Sequence, residues 1–133
     1  MIRKVKLKDL PELYHLELLC FAEEPWNLEQ LQSHIQHAEA ILLELDKPVA
    51  YILFCQTLDF TEVYRIGVLP EHRRNGFASQ LLDVLVANAT RLILEVAESN
   101  RAALAFYLHK GFVVVARRNE YYATGTALLL ERV

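Results

Sequence analysis

Residues 64–80, YRIGVLPEHRRNGFASQ, carry the chain from an apolar strand through a basic, glycine-containing turn into an amphipathic helix. A turn that opens a helix leaves backbone N–H groups without intrahelical partners, and Arg73 and Arg74 bring two guanidinium groups to the same place. The helix N-terminus and the arginines both favour an anion there, most naturally a phosphate. Gly76 lets the backbone approach that anion closely. Beyond the helix, Leu92–Ala97 is mostly apolar, as a strand covered on both faces should be. Strand, turn, helix and buried strand together indicate an α/β organisation.

Working outward, residues 2–6 read as a short strand, and Asp9 is expected to cap a helix running to about Cys20. Glu23-Glu24-Pro25-Trp26 breaks the chain. Asn27 followed by Gln30 is a capping-box pattern that starts a second helix, ending near His37. Segments 40–45 and 49–56 flank Asp46-Lys47-Pro48 and read as an antiparallel hairpin. Glu62–Leu69 is the next strand, ended by Pro70, and the helix after the basic turn continues to about Ala89. Ser99 or Asn100 caps a further helix that stops at Lys110-Gly111. Phe112–Arg118 and Ala123–Glu131 close the chain as strands. The order is β-α-α-β-β-β-α-β-α-β-β, without repeats or linkers, and its economical architecture is a mixed sheet of about seven strands with helices on both faces.

The chain has 133 residues, enough for one domain, and its 53% hydrophobic and 23% charged content suits a folded core. The net charge of −3 and a pI near 5.9 argue against nucleic acid held by general electrostatics, so a phosphate must be captured by a local basic patch. Cys20 and Cys55 do not form a disulfide framework and read as small buried hydrophobes in a reducing compartment. No stretch has the length of a signal-peptide core or a membrane span. The expectation is a soluble cytoplasmic protein with no membrane or nucleic-acid partner, a monomer or weak homodimer.

Several side chains admit both a plain and a chemical reading. Glu95 interrupts an apolar strand, where a carboxylate is expensive unless it is paired or placed at an opening in the sheet. It is either a strand-end glutamate in water or a general base. Tyr107, near Ala103 and Leu104 on a helix, is a core tyrosine or a proton donor to a leaving thiolate. Asn100 is a helix cap or a ligand contact. The histidines at 15, 34, 37, 72 and 109 show no metal-ligand grouping, so no metal is expected.

Arg73-x-x-Gly76-x-Ala78 after a strand resembles the acetyl-coenzyme A pyrophosphate motif of the GNAT acetyltransferases. Leu94-Glu95-Val96, Glu98-Ser99-Asn100, Ala105-Phe106-Tyr107 and Lys110-Gly111-Phe112, in that order, resemble the downstream half of the same fold. Glu24-Pro25-Trp26 and Arg117-Arg118-Asn119-Glu120-Tyr121-Tyr122 are similar to the bacterial ribosomal-protein-alanine N-acetyltransferase (RimI-type) branch. The resemblance spans essentially the whole chain.

It implies a strand bulged near Gly67 that splays from the strand carrying Glu95 and opens a V-shaped cleft. Backbone groups of Gly67, Val68 and Leu69 would pair with the pantetheine arm, and the Val68 N–H would polarise the thioester carbonyl. Asn75, Gly76, Phe77, Ala78, Ser79 and Gln80 would wrap the pyrophosphate with help from Arg73 or Arg74, and Asn100 would contact the coenzyme arm. Glu95 would be the general base and Tyr107 the general acid in a direct transfer that needs neither cysteine. Trp26, Tyr121 and Tyr122 would form an aromatic acceptor wall, or simply pack the loops over the cleft.

Acetyl-coenzyme A is thus the expected co-substrate, and the acceptor is a primary amine. Neutralising a lysine at pH 7 costs roughly 3 kcal/mol more than neutralising an α-amine, which favours a protein N-terminus. A small amine, a lysine side chain or a non-catalytic acyl-coenzyme A-binding module are the alternatives. The chain departs from the branch in the short segment between Gly76 and Leu92, and in Ala123-Thr124-Gly125-Thr126-Ala127, which lacks the acidic residue common before that last alanine.

Overall fold

Every residue from Val49 to Phe54 is buried, which requires cover on both faces of the sheet at that strand. The computed structural model describes residues 1–122 and 125–133, and of Glu120, Tyr121 and Tyr122 it describes the backbone only. The acceptor-wall expectation for Tyr121 and Tyr122, and the expected strand start at Ala123, therefore lie outside the described residues. The elements are β1 (Ile2–Lys4), α1 (Leu10–Cys20), α2 (Leu28–His37), β2 (Glu39–Glu44), β3 (Pro48–Gln56), β4 (Thr61–Val68), α3 (Phe77–Asn88), β5 (Leu92–Ala97), α4 (Arg101–His109), β6 (Val113–Tyr122) and β7 (Gly125–Arg132). Single 3-10 turns at Leu7–Asp9 and Pro70–His72 precede α1 and the basic turn.

The seven strands form one sheet in the order β1-β2-β3-β4-β5-β7-β6. Among the described residues only β4 and β5 run parallel, joined through α3 as a parallel pair needs. Leu13 and Leu16 of α1, Leu31 of α2, and Leu81, Leu82 and Leu85 of α3 bury their side chains with the strand interior. This is the mixed α/β architecture expected from the element order.

Local chemistry explains most boundaries. Asn27 Oδ1 accepts from the Gln30 N–H and Gln30 Oε1 accepts from the Asn27 N–H, both at 2.8 Å, so the capping box at α2 is complete. Asp9 departs from expectation because its side chain does not cap α1. Its carboxylate turns back to accept from the Lys6 N–H at 2.8 Å and from both terminal nitrogens of Arg3, at 2.9 and 3.0 Å. A bidentate guanidinium outbids a helix terminus for the same oxygens.

The bulge in β4 is also displaced. Leu53 pairs with Arg65 and Phe54 pairs with Val63, so Tyr64 is the extra residue, not one near Gly67. Gly67 has a different duty, since the ring of Tyr51 lies across it. A Cβ there would come within 2.5 Å of Tyr51 Cε1.

Candidate active site

The parallel ladder between β4 and β5 joins only Thr61 with Leu92, Glu62 with Ile93 and Val63 with Leu94. Past the Tyr64 bulge the two strands part, and a cleft of about 790 Å³ opens between them. Its lining includes Cys20–Glu24, Tyr64, Arg65 and Ile66 on one side, and Glu95, Ala97, Asn100, Ala103 and Tyr107 on the other. The expected splay is present, and it brings Glu95, Asn100 and Tyr107 into one space.

Beyond the bulge, β4 has a free edge facing the cleft. The Leu69 N–H donates to the Val49 carbonyl at 2.9 Å, and the Leu69 carbonyl accepts from the His72 N–H. The Leu69 N–H, expected to pair with a ligand, is therefore already taken. Alternation along an antiparallel ladder then turns Gly67 toward its partner Tyr51 and points the backbone groups of Ile66 and Val68 into the cleft. Arg73 Nε already donates to the Val68 carbonyl at 3.1 Å, which leaves the Val68 N–H.

The basic turn fits an anion. Gly76, at φ +77, begins α3 without any side-chain cap, so the first-turn N–H groups are unclaimed within the helix. Arg74 is also left-handed at φ +67, a conformation a non-glycine residue adopts only under constraint. Asn75 Nδ2 donates to the His72 carbonyl at 3.1 Å and so ties the turn together. Two groups of the expected cradle already have partners. The Gln80 N–H donates to the Gly76 carbonyl within α3, and Ser79 Oγ accepts from Lys110 Nζ at 2.7 Å. Phe77 is half-buried beside the His72 ring.

Glu95 alternates with the buried Leu94 and Val96 and faces the cleft half-buried. Arg118 Nε on β6 stands 3.2 Å from Glu95 Oε1 but is not aligned for a hydrogen bond. Tyr107 packs edge-on to Phe106 and Phe112, and burial pushes its hydroxyl up to about 12. It thus remains a proton carrier throughout the neutral range. Asn100 combines its two readings, accepting from the Ala103 N–H at 3.2 Å to cap α4 while lining the cleft. Burial pushes the Cys20 thiol up to about 11, which keeps it protonated and a poor nucleophile.

Trp26 is not among the residues that line the cleft. Its ring packs against His34 and Tyr64, over a shallow hollow beside the cleft. Among the described residues the aromatic side chains that line the cleft are Phe21, Tyr64 and Tyr107, with Tyr64 exposed by the bulge. Sequence reasoning also missed Glu17 and Arg65. The signal for Glu17 was its place four residues after Leu13, on the buried stripe of α1. Among the described residues no group of three or more His, Cys, Asp or Glu side chains is placed to hold a metal, and no helix is long and apolar enough to cross a membrane.

Known proteins share this arrangement. Residues 10–112 match the acetyltransferase (GNAT) family. The ribosomal protein bS18-alanine N-acetyltransferase of Escherichia coli K12 is 31% identical over 130 residues, covering 92% of this chain and 87% of its own. The crystal structure of the ribosomal-protein-S18-alanine N-acetyltransferase from Escherichia coli superposes with a TM-score of 0.90 at 26% identity, over 99% of this chain and 92% of that one. Arabidopsis thaliana Naa50, solved with a bisubstrate analogue, shares the fold at a TM-score of 0.85 and 20% identity, over 100% of this chain and 97% of its own.

Proposed function

The chain belongs to the GNAT acetyltransferase family and is an acetyl-coenzyme A-dependent N-acetyltransferase; from that premise we propose that its acceptor is the N-terminal α-amine of a protein. The observation that carries this reading is the split between β4 and β5, with Glu95 and Tyr107 on one wall and the free edge of β4 on the other. The relative from Escherichia coli, named for an alanine of ribosomal protein bS18, supports an N-terminal acceptor of that kind. Residues 1–133 act as one acetyltransferase domain, and the unpaired Cys20 and Cys55 support work in the cytoplasm.

The coenzyme, when bound, supplies an acetyl group already activated as a thioester. The uncapped start of α3, from Gly76 to Ser79, holds its phosphates with Arg74 or Arg73. The Val68 N–H polarises the acetyl carbonyl, and Ile66 and Asn100 orient the arm. Glu95 accepts the proton released as the amine attacks, and Tyr107 gives its proton to the departing sulfur. Holding both reactants in one cleft removes much of the entropic barrier to their encounter.

The reading is tested by acetyl-coenzyme A turnover against three panels: N-terminal peptides, lysine-containing peptides blocked at the N-terminus, and small primary amines. The expected outcome is turnover of unblocked peptides at the highest kcat/KM. Faster turnover of small amines or of blocked lysine peptides overturns the acceptor assignment.

A further inference from the structure

The carboxylate of Glu17 takes no part in the chemistry above, yet it is fully buried and held from several directions. Tyr51 Oη donates to its Oε1, the Trp26 N–H donates to Oε2 at 2.8 Å, and Arg65 Nε stands 3.1 Å from Oε2. Arg65 then extends the grip outward. Its Nη2 donates to the Glu24 carbonyl at 2.8 Å, and its guanidinium lies 3.8 Å over the Phe21 ring. One ion pair thus fixes the segment between α1 and α2 at Phe21, Glu24 and Trp26.

Residues 21–24 of that segment line the cleft, and Arg65 arises from β4 between the bulged Tyr64 and the cleft-facing Ile66. The pair therefore ties one wall to the edge of β4 proposed to hold the acetyl donor. Stability alone is a weak reason to bury a charged pair, because desolvation offsets most of the Coulombic gain and apolar packing serves as well. A planar guanidinium supplies something apolar packing cannot. Its fork and its face meet a carboxylate, a carbonyl and a ring in fixed directions.

We propose that Glu17 and Arg65 are positioning residues that set the spacing between the acceptor wall and the edge of β4, and so determine how well the acceptor amine is held. This rests on the N-acetyltransferase reading with the acceptor entering past residues 21–24 and Tyr64. Glu17→Gln keeps the shape but removes the charge facing Arg65. Arg65→Lys keeps a charge but cannot meet Glu17, Glu24 and Phe21 together.

The test is steady-state kinetics of both full-length variants, using whichever amine the unaltered protein acetylates best, with amide hydrogen exchange across residues 21–26. Loss of charge-assisted anchoring is expected to raise the acceptor KM about tenfold or more, with kcat within about threefold. Acetyl-coenzyme A affinity is expected to be unchanged, and amides of the segment, Trp26 first, to exchange faster. An unchanged acceptor KM in the folded variants overturns the proposal, and so does a loss that falls on acetyl-coenzyme A instead. If Glu17→Gln does not fold, Arg65→Lys decides. If the unaltered protein acetylates no amine, the functional reading fails by itself and hydrogen exchange decides the positioning: unchanged exchange across 21–26 overturns it.

Discussion

Replacing Gly67 by alanine should destabilise the protein through one collision. The added Cβ would sit 2.5, 2.7 and 2.8 Å from Cε1, Cζ and Oη of Tyr51, closer than side chains approach one another. Tyr51 has no exposed surface, and its hydroxyl is committed to Glu17. The ring must either stay and force β3 from β4, an overpacking cost of about 1–3 kcal/mol, or swing away and abandon a charged hydrogen bond worth about 1.5–3 kcal/mol. Alanine returns about 0.5–1 kcal/mol by restricting the unfolded chain, so the net loss is about 1–2 kcal/mol. At this chain length that is a fall in Tm of roughly 3–10 °C. Urea unfolding followed by circular dichroism measures it. A cycle with Tyr51→Leu assigns the cause, because removing the ring should relieve the alanine and give a coupling of at least about 1 kcal/mol. A Gly67→Ala variant within about 0.5 kcal/mol of the parent, or a strictly additive double variant, refutes the argument.

Tyr107→Phe should lower kcat by about a hundredfold or more while leaving acetyl-coenzyme A affinity in place, measured by turnover alongside calorimetry. The same hydroxyl titrates near 10 when unfolded and is pushed by burial to about 12 when folded. Its contribution to stability is therefore complete below pH 10 and lost as pH rises through 12, and the phenylalanine variant should lack that part of the alkaline slope. Asn27→Ala removes the cap of α2 and should cost about 1 kcal/mol in urea unfolding. Hydrogen bonding from Arg3 holds the Asp9 carboxyl below its usual 3.8. That stabilisation is present above pH 3.8 and lost as pH falls through the lower folded value, so Asp9→Asn should flatten the acid limb of a stability–pH profile.

Elements whose boundaries depend on local chemistry were legible in the sequence. The Asn27–Gln30 box, the Gly76 turn and the apolar run of β5 each specify their structure within a few residues. Asp9 was not legible, because its fate depends on Arg3 being brought beside it when β1 joins the sheet. The bulge was placed at the wrong residue for a related reason. Register belongs to the β3–β4 pair, and nothing in the sequence of β4 alone marks Tyr64 as the extra residue. The site was half legible. Glu95, Asn100 and Tyr107 converge as their order implies. The backbone N–H groups of Leu69 and Gln80, and one lone pair of the Ser79 hydroxyl, are taken by hydrogen bonds that only the folded chain reveals. Glu17 looked like one more polar residue of a helix until the strand carrying Arg65 and Tyr51 closed over it.

The parting of β4 from β5 also bears on how this protein persists in a cell. A sheet normally keeps its unpaired edges short or covered, because an open row of N–H and C=O groups invites another chain. Here such a row lies at the middle of the sheet, on the far side of the Tyr64 bulge. On the reading proposed above, acetyl-coenzyme A binds that row in the native state only. By mass action, coenzyme at a hundred times its Kd would add about 2.7 kcal/mol to the folding free energy, comparable to removing a core defect. The amount of folded enzyme, and not only its turnover, would then follow the supply of its own substrate. Depletion of acetyl-coenzyme A would leave the chain easier to unfold and easier to degrade.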